Sequence, residues 1–164
     1  MTFIRLLLCC CCLGFNALLP VAAQEEASQA ESMWSEDAPT GGDFTLQSAE
    51  GSVSLQDLRG KVVLLFFGYA NCPDVCPLAL SILGRALNGL EEGELARVQA
   101  LFITLDPVRD TVDDLNKHAA YFHPKILGLS GSEEQVADVA GLYGVQYYQV
   151  QLKDSELAYS VNHS

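Results

Sequence analysis

Two cysteines with three residues between them, in Cys72-Pro73-Asp74-Val75-Cys76-Pro77, are the side chains of this chain best suited to chemistry. Once residues 1–23 are set aside as an export segment, they are its only thiols. They follow directly on the apolar run 62–67, and Pro77 suits the first turn of a helix, so both thiols fall at a helix mouth. There, unsatisfied backbone N–H groups and the helix dipole favour negative charge and lower a thiol pKa from its usual value of about 8.5. The thiolate is at once the nucleophile and the metal ligand. Residues i and i+4 on one helical turn have β-carbons about 5 to 6 Å apart, so two sulfurs in that relation can chelate one ion.

Three uses of such a pair are open: a stabilising disulfide, a redox couple and a metal site. An oxidising compartment favours the first. A loop of three residues, however, removes little freedom from the unfolded chain, and the flanking prolines and strand-to-helix placement favour function. Thiolates are soft donors that select Cu(I), zinc or iron–sulfur clusters, and an added imidazole tolerates copper in either oxidation state. Two sulfurs alone are too few for a structural zinc site. Spacing assigns none of the three histidines to the thiols. His118 and His123 fall near the end of a predicted helix, before Pro124, where polar or cationic groups suit the helix C-terminus. His163 lies 87 positions after Cys76 (163 minus 76) and by itself reads as a solvated side chain.

The elements that must hold these residues follow from hydrophobic periodicity. Phe44-Thr45-Leu46, a turn at Glu50-Gly51 and Val53-Ser54-Leu55 alternate at period two and predict a hairpin. The run 62–67 is too short for a helix and predicts a strand buried on both faces. Residues 77–90 carry apolar positions in helical register, and 98–105 predicts a second buried strand ending in the turn Asp106-Pro107. Thr111 to Asp114 is an approximate capping box for a helix to about Phe122, and 126–129 a short strand. Ser132 and Gln135 form a capping box for a helix through about Leu142, before a last strand over 147–152. Strands alternating with helices predict an α/β fold.

At 164 residues and 49% hydrophobic content, one domain is expected. A net charge of -12 leaves no basic patch for phosphates and argues against a nucleic-acid partner. Residues 1–23, with one positive charge, an apolar stretch and Val21-Ala22-Ala23 before Gln24, have the layout of a secretory signal peptide. The apolar stretch also approaches the roughly 20 residues of a membrane helix, so an N-terminal membrane anchor is the alternative. Cys9 to Cys12 are adjacent and cannot all face one ion, so they read as small apolar filler. Residues 24–42, rich in Glu, Ser and Ala, read as an acidic flexible linker, with the folded domain spanning 43–164.

The string Phe67-Gly68-Tyr69-Ala70-Asn71-Cys72-Pro73-Asp74-Val75-Cys76-Pro77 resembles the signature of the SCO/SenC family, the thioredoxin-like copper chaperones of cytochrome c oxidase assembly. Thr104-Leu105-Asp106-Pro107-Val108-Arg109-Asp110-Thr111 resembles that family's Asp-Pro-x-Arg-Asp-Thr turn, and Tyr159 to Ser164 the stretch bearing its metal-binding histidine. The resemblance implies a thioredoxin-like fold and a site for one copper ion made by Cys72, Cys76 and His163. The two cysteines would also cycle between dithiol and disulfide. It implies delivery of copper to the copper A subunit of cytochrome c oxidase, or reduction of that subunit's cysteines as a thiol–disulfide oxidoreductase. A copper donor or thiol reductant would be a further partner, and the periplasm or the periplasmic face of the inner membrane the place. Asp74 and Asp106 are candidates for orienting the ligands, though both equally read as turn and cap residues, and Arg109 and Asp110 suggest a local pair. Asn71 stands where the family often has an aromatic residue or histidine. The family fold continues beyond the position of Ser164 with further strands and a closing helix. The expectation is therefore a C-terminally truncated domain with an exposed sheet edge and His163 on a loose tail.

Overall fold

A computed structural model describes residues 41–153 and 157–163. The expected signal or anchor at 1–23 and nearly all of the expected linker lie outside those residues. The chain forms a hairpin of β1 (Thr45–Ser48) and β2 (Gly51–Ser54), then β3 (Val62–Gly68), α1 (Val75–Asn88), a short α2 (Glu92–Leu95) and β4 (Val98–Thr104). It continues through α3 (Val112–Phe122), β5 (Ile126–Leu129), α4 (Glu133–Leu142), β6 (Tyr147–Gln151) and β7 (Tyr159–His163).

The frame is a parallel sheet in the order β3-β4-β5, with Val62 opposite Val98, Gly68 opposite Thr104 and Ala100 opposite Ile126. Period-two alternation sends the side chains of β4 to both faces. Ala100 and Phe102 pack with Leu80 and Leu87 of α1 and Leu115 and Ala119 of α3. Leu101 and Ile103 pack on the opposite face with Leu46 of the hairpin, Leu129 of β5 and Val139 of α4. The hairpin is tied to the end of β5 by paired backbone bonds between Gln47 and Ser130, 2.8 and 2.9 Å long. This is the expected thioredoxin-like α/β arrangement with an N-terminal hairpin.

Local chemistry sets the helix starts. The Ser132 hydroxyl accepts from the Gln135 amide while Gln135 closes the reciprocal bond, a complete capping box on α4. Thr111 caps α3 by accepting from the Asp114 amide.

Four features depart from expectation. First, β3 is not buried on both faces: Val62 is 59% and Leu64 37% exposed, because among the described residues β3 pairs with β4 alone and so forms a sheet edge. Second, α1 begins at Val75, two residues before Pro77, so Cys76 lies inside the helix and Cys72 in the loop before it. Third, the stretch bearing His163 is strand β7, paired antiparallel to β6 with Tyr147 opposite His163, rather than a loose tail. Fourth, Gly41 and Gly42 belong to the folded unit: the Gly41 amide donates to Leu142 O at 2.9 Å, and the Tyr143 hydroxyl to Gly42 O at 2.9 Å.

His118 is half-buried beside Phe102 and Phe122, its ring centroid 5.3 Å from that of Phe122. Burial lowers its pKa from the ordinary 6.5, against the smaller opposing pull of Asp110. His123 accepts the Lys125 amide on Nδ1 at 3.0 Å and serves the turn after α3. A histidine whose folded pKa lies below its unfolded value leaves stability intact above that unfolded value and weakens it as pH falls, since the unfolded chain takes the proton first. Urea unfolding of the wild type should therefore lose stability as the pH drops below about 6.5, and His118→Leu should lose less over the same interval.

Candidate metal centre

The thiols sit where β3 and β4 end, the position at which open α/β sheets place their ligands. At the last residue of β3, Gly68, an added β-carbon would lie 2.8 Å from the Cys76 sulfur and 3.1 Å from Phe102. Glycine at that position is the space the thiol occupies. Cys76 is wholly buried among Tyr69, Leu105, Val136, Ala140 and Val161, whereas Cys72 is half-buried at the cleft mouth.

The loop carrying Cys72 is clamped by Asp110. Its carboxylate accepts from the Ala70 amide at 2.9 Å and the Thr104 hydroxyl at 2.7 Å, with the Asn71 amide group at 3.4 Å. Burial raises the pKa of this carboxyl, partly offset by those Thr104 and Ala70 donors. The local pair expected between Arg109 and Asp110 does not form: Arg109 Nε donates to Asp106 Oδ2 instead. Asp106 is almost fully buried, and its other oxygen accepts the Tyr159 hydroxyl at 2.8 Å. Asp106 thus bears on β7 rather than on the sulfurs. Asp74 stands at the cap of α1 with an exposed side chain that makes no capping bond. Its backbone N–H, not its carboxylate, reaches Cys72.

His163 Nε2 stands 3.8 Å from the Cys76 sulfur, 87 positions away in sequence. The Tyr69 ring meets the imidazole edge-on at 6.5 Å. Tyr69, Cys72, Pro73, Val75, Val161 and His163 line one open cleft. All three sequence-derived candidate ligands are therefore gathered at one place. Among the described residues no three His, Cys, Asp or Glu side chains form a closed metal cluster, so this is an open constellation of two sulfurs and one imidazole.

The two thiols differ electrostatically. Burial pushes Cys76 up to about 12, and the hydrogen bond and charge of Cys72 and the charge of Asp110 add to it. For Cys72 burial also acts upward but is outweighed. The backbone N–H groups of Asp74 and Cys76, the Cys76 thiol and the Tyr69 hydroxyl all stabilise its thiolate, so its pKa falls. Tyr69, buried and donating toward Cys72, is itself raised, chiefly by burial. Of the two thiols, Cys72 therefore gives up its proton the more easily and Cys76 holds its own.

A family model described as SCO1/SenC matches residues 32–164. The chain belongs to the SCO1/SenC family. The bovine mitochondrial protein SCO2 homolog is 47% identical over 125 residues, which is 75% of this chain and 47% of that protein. The matched region thus spans about half the length of that relative. The apo Sco1 protein of Thermus thermophilus superposes with a TM-score of 0.69 at 42% identity, covering 78% of this chain and 74% of that one. ScoI of Arabidopsis thaliana, solved with copper bound, gives 0.69 at 40% identity, covering 76% of each chain.

Tyr69, Asp110, Arg109 and Tyr159 shape the site without having been singled out as site residues from the sequence. All four lie in the stretches that carry the family resemblance, which was the available signal.

Two outcomes follow from this geometry. When the reduced, metal-free protein is labelled with iodoacetamide at rising pH, Cys72 should react first and at lower pH than an ordinary cysteine, with Cys76 lagging. Tyr69→Phe should shift the Cys72 curve upward; peptide mass spectrometry reads both. Gly68→Ala should displace the Cys76 sulfur, cost about 1–3 kcal/mol in urea unfolding and narrow the reactivity difference between the thiols.

Proposed function

We propose that this protein is a copper metallochaperone that binds one copper ion through Cys72, Cys76 and His163 and passes it to the copper A centre of cytochrome c oxidase. The observation that carries this reading is the meeting of the buried Cys76 sulfur with the His163 imidazole, Sγ and Nε2 3.8 Å apart, behind an open cleft lined by Cys72 and His163. The donor set suits the cargo: soft sulfurs hold Cu(I), and the imidazole tolerates either oxidation state. Copper bound in the solved Arabidopsis relative, 40% identical, supports the same cargo here. Few ligands and an open mouth favour transfer by ligand exchange, in which acceptor thiolates replace Cys72, Cys76 and His163 one at a time. The signal-like segment 1–23 supports export to the periplasm, either free or tethered at the inner membrane. Among the described residues no helix is long and apolar enough to cross a membrane.

The asymmetry of the thiols favours a linked second role as a thiol–disulfide oxidoreductase. The Cys72 thiolate attacks an acceptor disulfide and forms a mixed disulfide, releasing one acceptor thiolate. Cys76, on losing its proton, attacks the Cys72 sulfur, releases the second acceptor thiolate and closes a Cys72–Cys76 disulfide. The acceptor gains two electrons and this chain loses two.

Copper measured in the purified, reduced protein should approach one ion per chain, and Cys72→Ala should abolish tight binding. His163→Ala should weaken copper binding at least about tenfold while leaving thiol–disulfide exchange intact. Absence of copper binding, or binding indifferent to Cys72→Ala, rules the chaperone reading out.

A further inference from the structure

Strand β7 carries Tyr159, Val161 and His163 on one face, since strand side chains two apart point the same way. Val161 packs beside Tyr69 and Cys76, and His163 meets the Cys76 sulfur. The outward face is seen at exposed Asn162, whose amide group donates to the Tyr148 hydroxyl at 2.9 Å. The β6–β7 pair is a two-stranded sheet separate from the parallel sheet, and such a ribbon is marginal without an anchor.

Arg109 supplies that anchor. Its Nη1 donates to Leu157 O and to Tyr159 O, both at 2.8 Å, at the entry to β7. The guanidinium carbon lies 3.7 Å from the centroid of the Tyr159 ring and 5.9 Å from that of Tyr69. Nε is held by Asp106, which also takes the Tyr159 hydroxyl, so one carboxylate orients both stacked groups. The base of this assembly is firm: the Arg109 and Asp110 amides donate to Asp106 O at 3.2 and 3.0 Å, and Asp110 in turn clamps the loop bearing Cys72. One short turn after β4 therefore grips the ligand loop with Asp110 and the ligand strand with Arg109.

We propose that Arg109 is a positioning residue for the metal site: it pins the start of β7 so that His163, four residues on, is presented to the two sulfurs. The planar fork is what the task requires, because one side chain must meet two carbonyls, a carboxylate and a ring face together. A lysine can keep the charge beside Asp106 but not the fork. This inference rests on the reading of His163 as a copper ligand.

The test compares wild type, Arg109→Met, Arg109→Lys and His163→Ala in the full chain, with Cu(II) and Cu(I) as probes and circular dichroism as a check on folding. In the Cu(II)-loaded Arg109→Met protein, thiolate-to-copper absorption should persist while nitrogen coupling in the electron paramagnetic resonance spectrum is lost. Copper affinity should fall about tenfold, and added imidazole should restore the nitrogen coupling. Arg109→Lys should fall between wild type and Arg109→Met. In the metal-free protein, hydrogen exchange should accelerate at least about tenfold in 157–163 and stay unchanged in β3, β4 and β5. Wild-type coupling, affinity and exchange in Arg109→Met overturn the inference, as does acceleration spread evenly over the whole domain. Should Arg109→Met fail to fold, Tyr159→Leu removes the stacked ring from the other side and must show the same selective loss. If His163→Ala binds Cu(II) with wild-type affinity and spectrum, the ligand reading itself fails, and metal-free exchange alone decides for or against the anchor.

Discussion

Everything in this molecule hangs on β4 lying between two parallel neighbours. Because its side chains alternate, Ala100 and Phe102 supply one core and Leu101 and Ile103 the other, so a single strand holds α1 and α3 on one face and the hairpin and α4 on the opposite face. The five residues from Ala100 to Thr104 are buried, which leaves the strand no freedom to slide: a shift by one residue would exchange its two faces. That fixed register carries the functional end of the fold. Gly68 is opposite Thr104, and the turn that follows β4 delivers Asp106, Arg109 and Asp110 to the thiols' side.

The chemistry of the site comes from placing two like groups in unlike surroundings. Cys76, the second residue of α1, is covered by Tyr69, Leu105 and Val161 and held against the bare α-carbon of Gly68. Cys72, in the loop, meets backbone N–H groups and a phenol. Burial disfavours the thiolate at the first and hydrogen bonds favour it at the second. The order in which the two thiols ionise is therefore set by packing and hydrogen bonding around them.

The imidazole arrives by a different physical route. His163 belongs to a small antiparallel ribbon outside the parallel sheet, and what brings the ribbon in is a set of polar contacts at Tyr159 together with apolar packing at Val161. The loop bearing Cys72 and the strand bearing His163 are both fastened to the turn after β4, so their mutual placement depends on one short piece of chain rather than on two independent loops.

Local pattern by itself determined a good deal. The period-two runs, the capping box at Ser132 and the apolar spacing of α1 announced the hairpin, the strands and the helices, because those signals depend on residues within one or two turns of each other. The strand-to-helix position of the cysteine pair and its resemblance to a family signature announced the site. Tertiary structure alone decided three matters. Whether β3 is central or an edge depends on which strands pair with it, and an apolar run reads the same in both cases. Whether Arg109 pairs with Asp110 or Asp106 depends on the turn's backbone and on Tyr159, 50 residues away, which its guanidinium also grips. And whether His163 faces the thiols depends on the pairing of β7 with β6 and its docking on Arg109. Contacts so distant in sequence leave no periodic trace, since they arise only when separately folded segments are packed together.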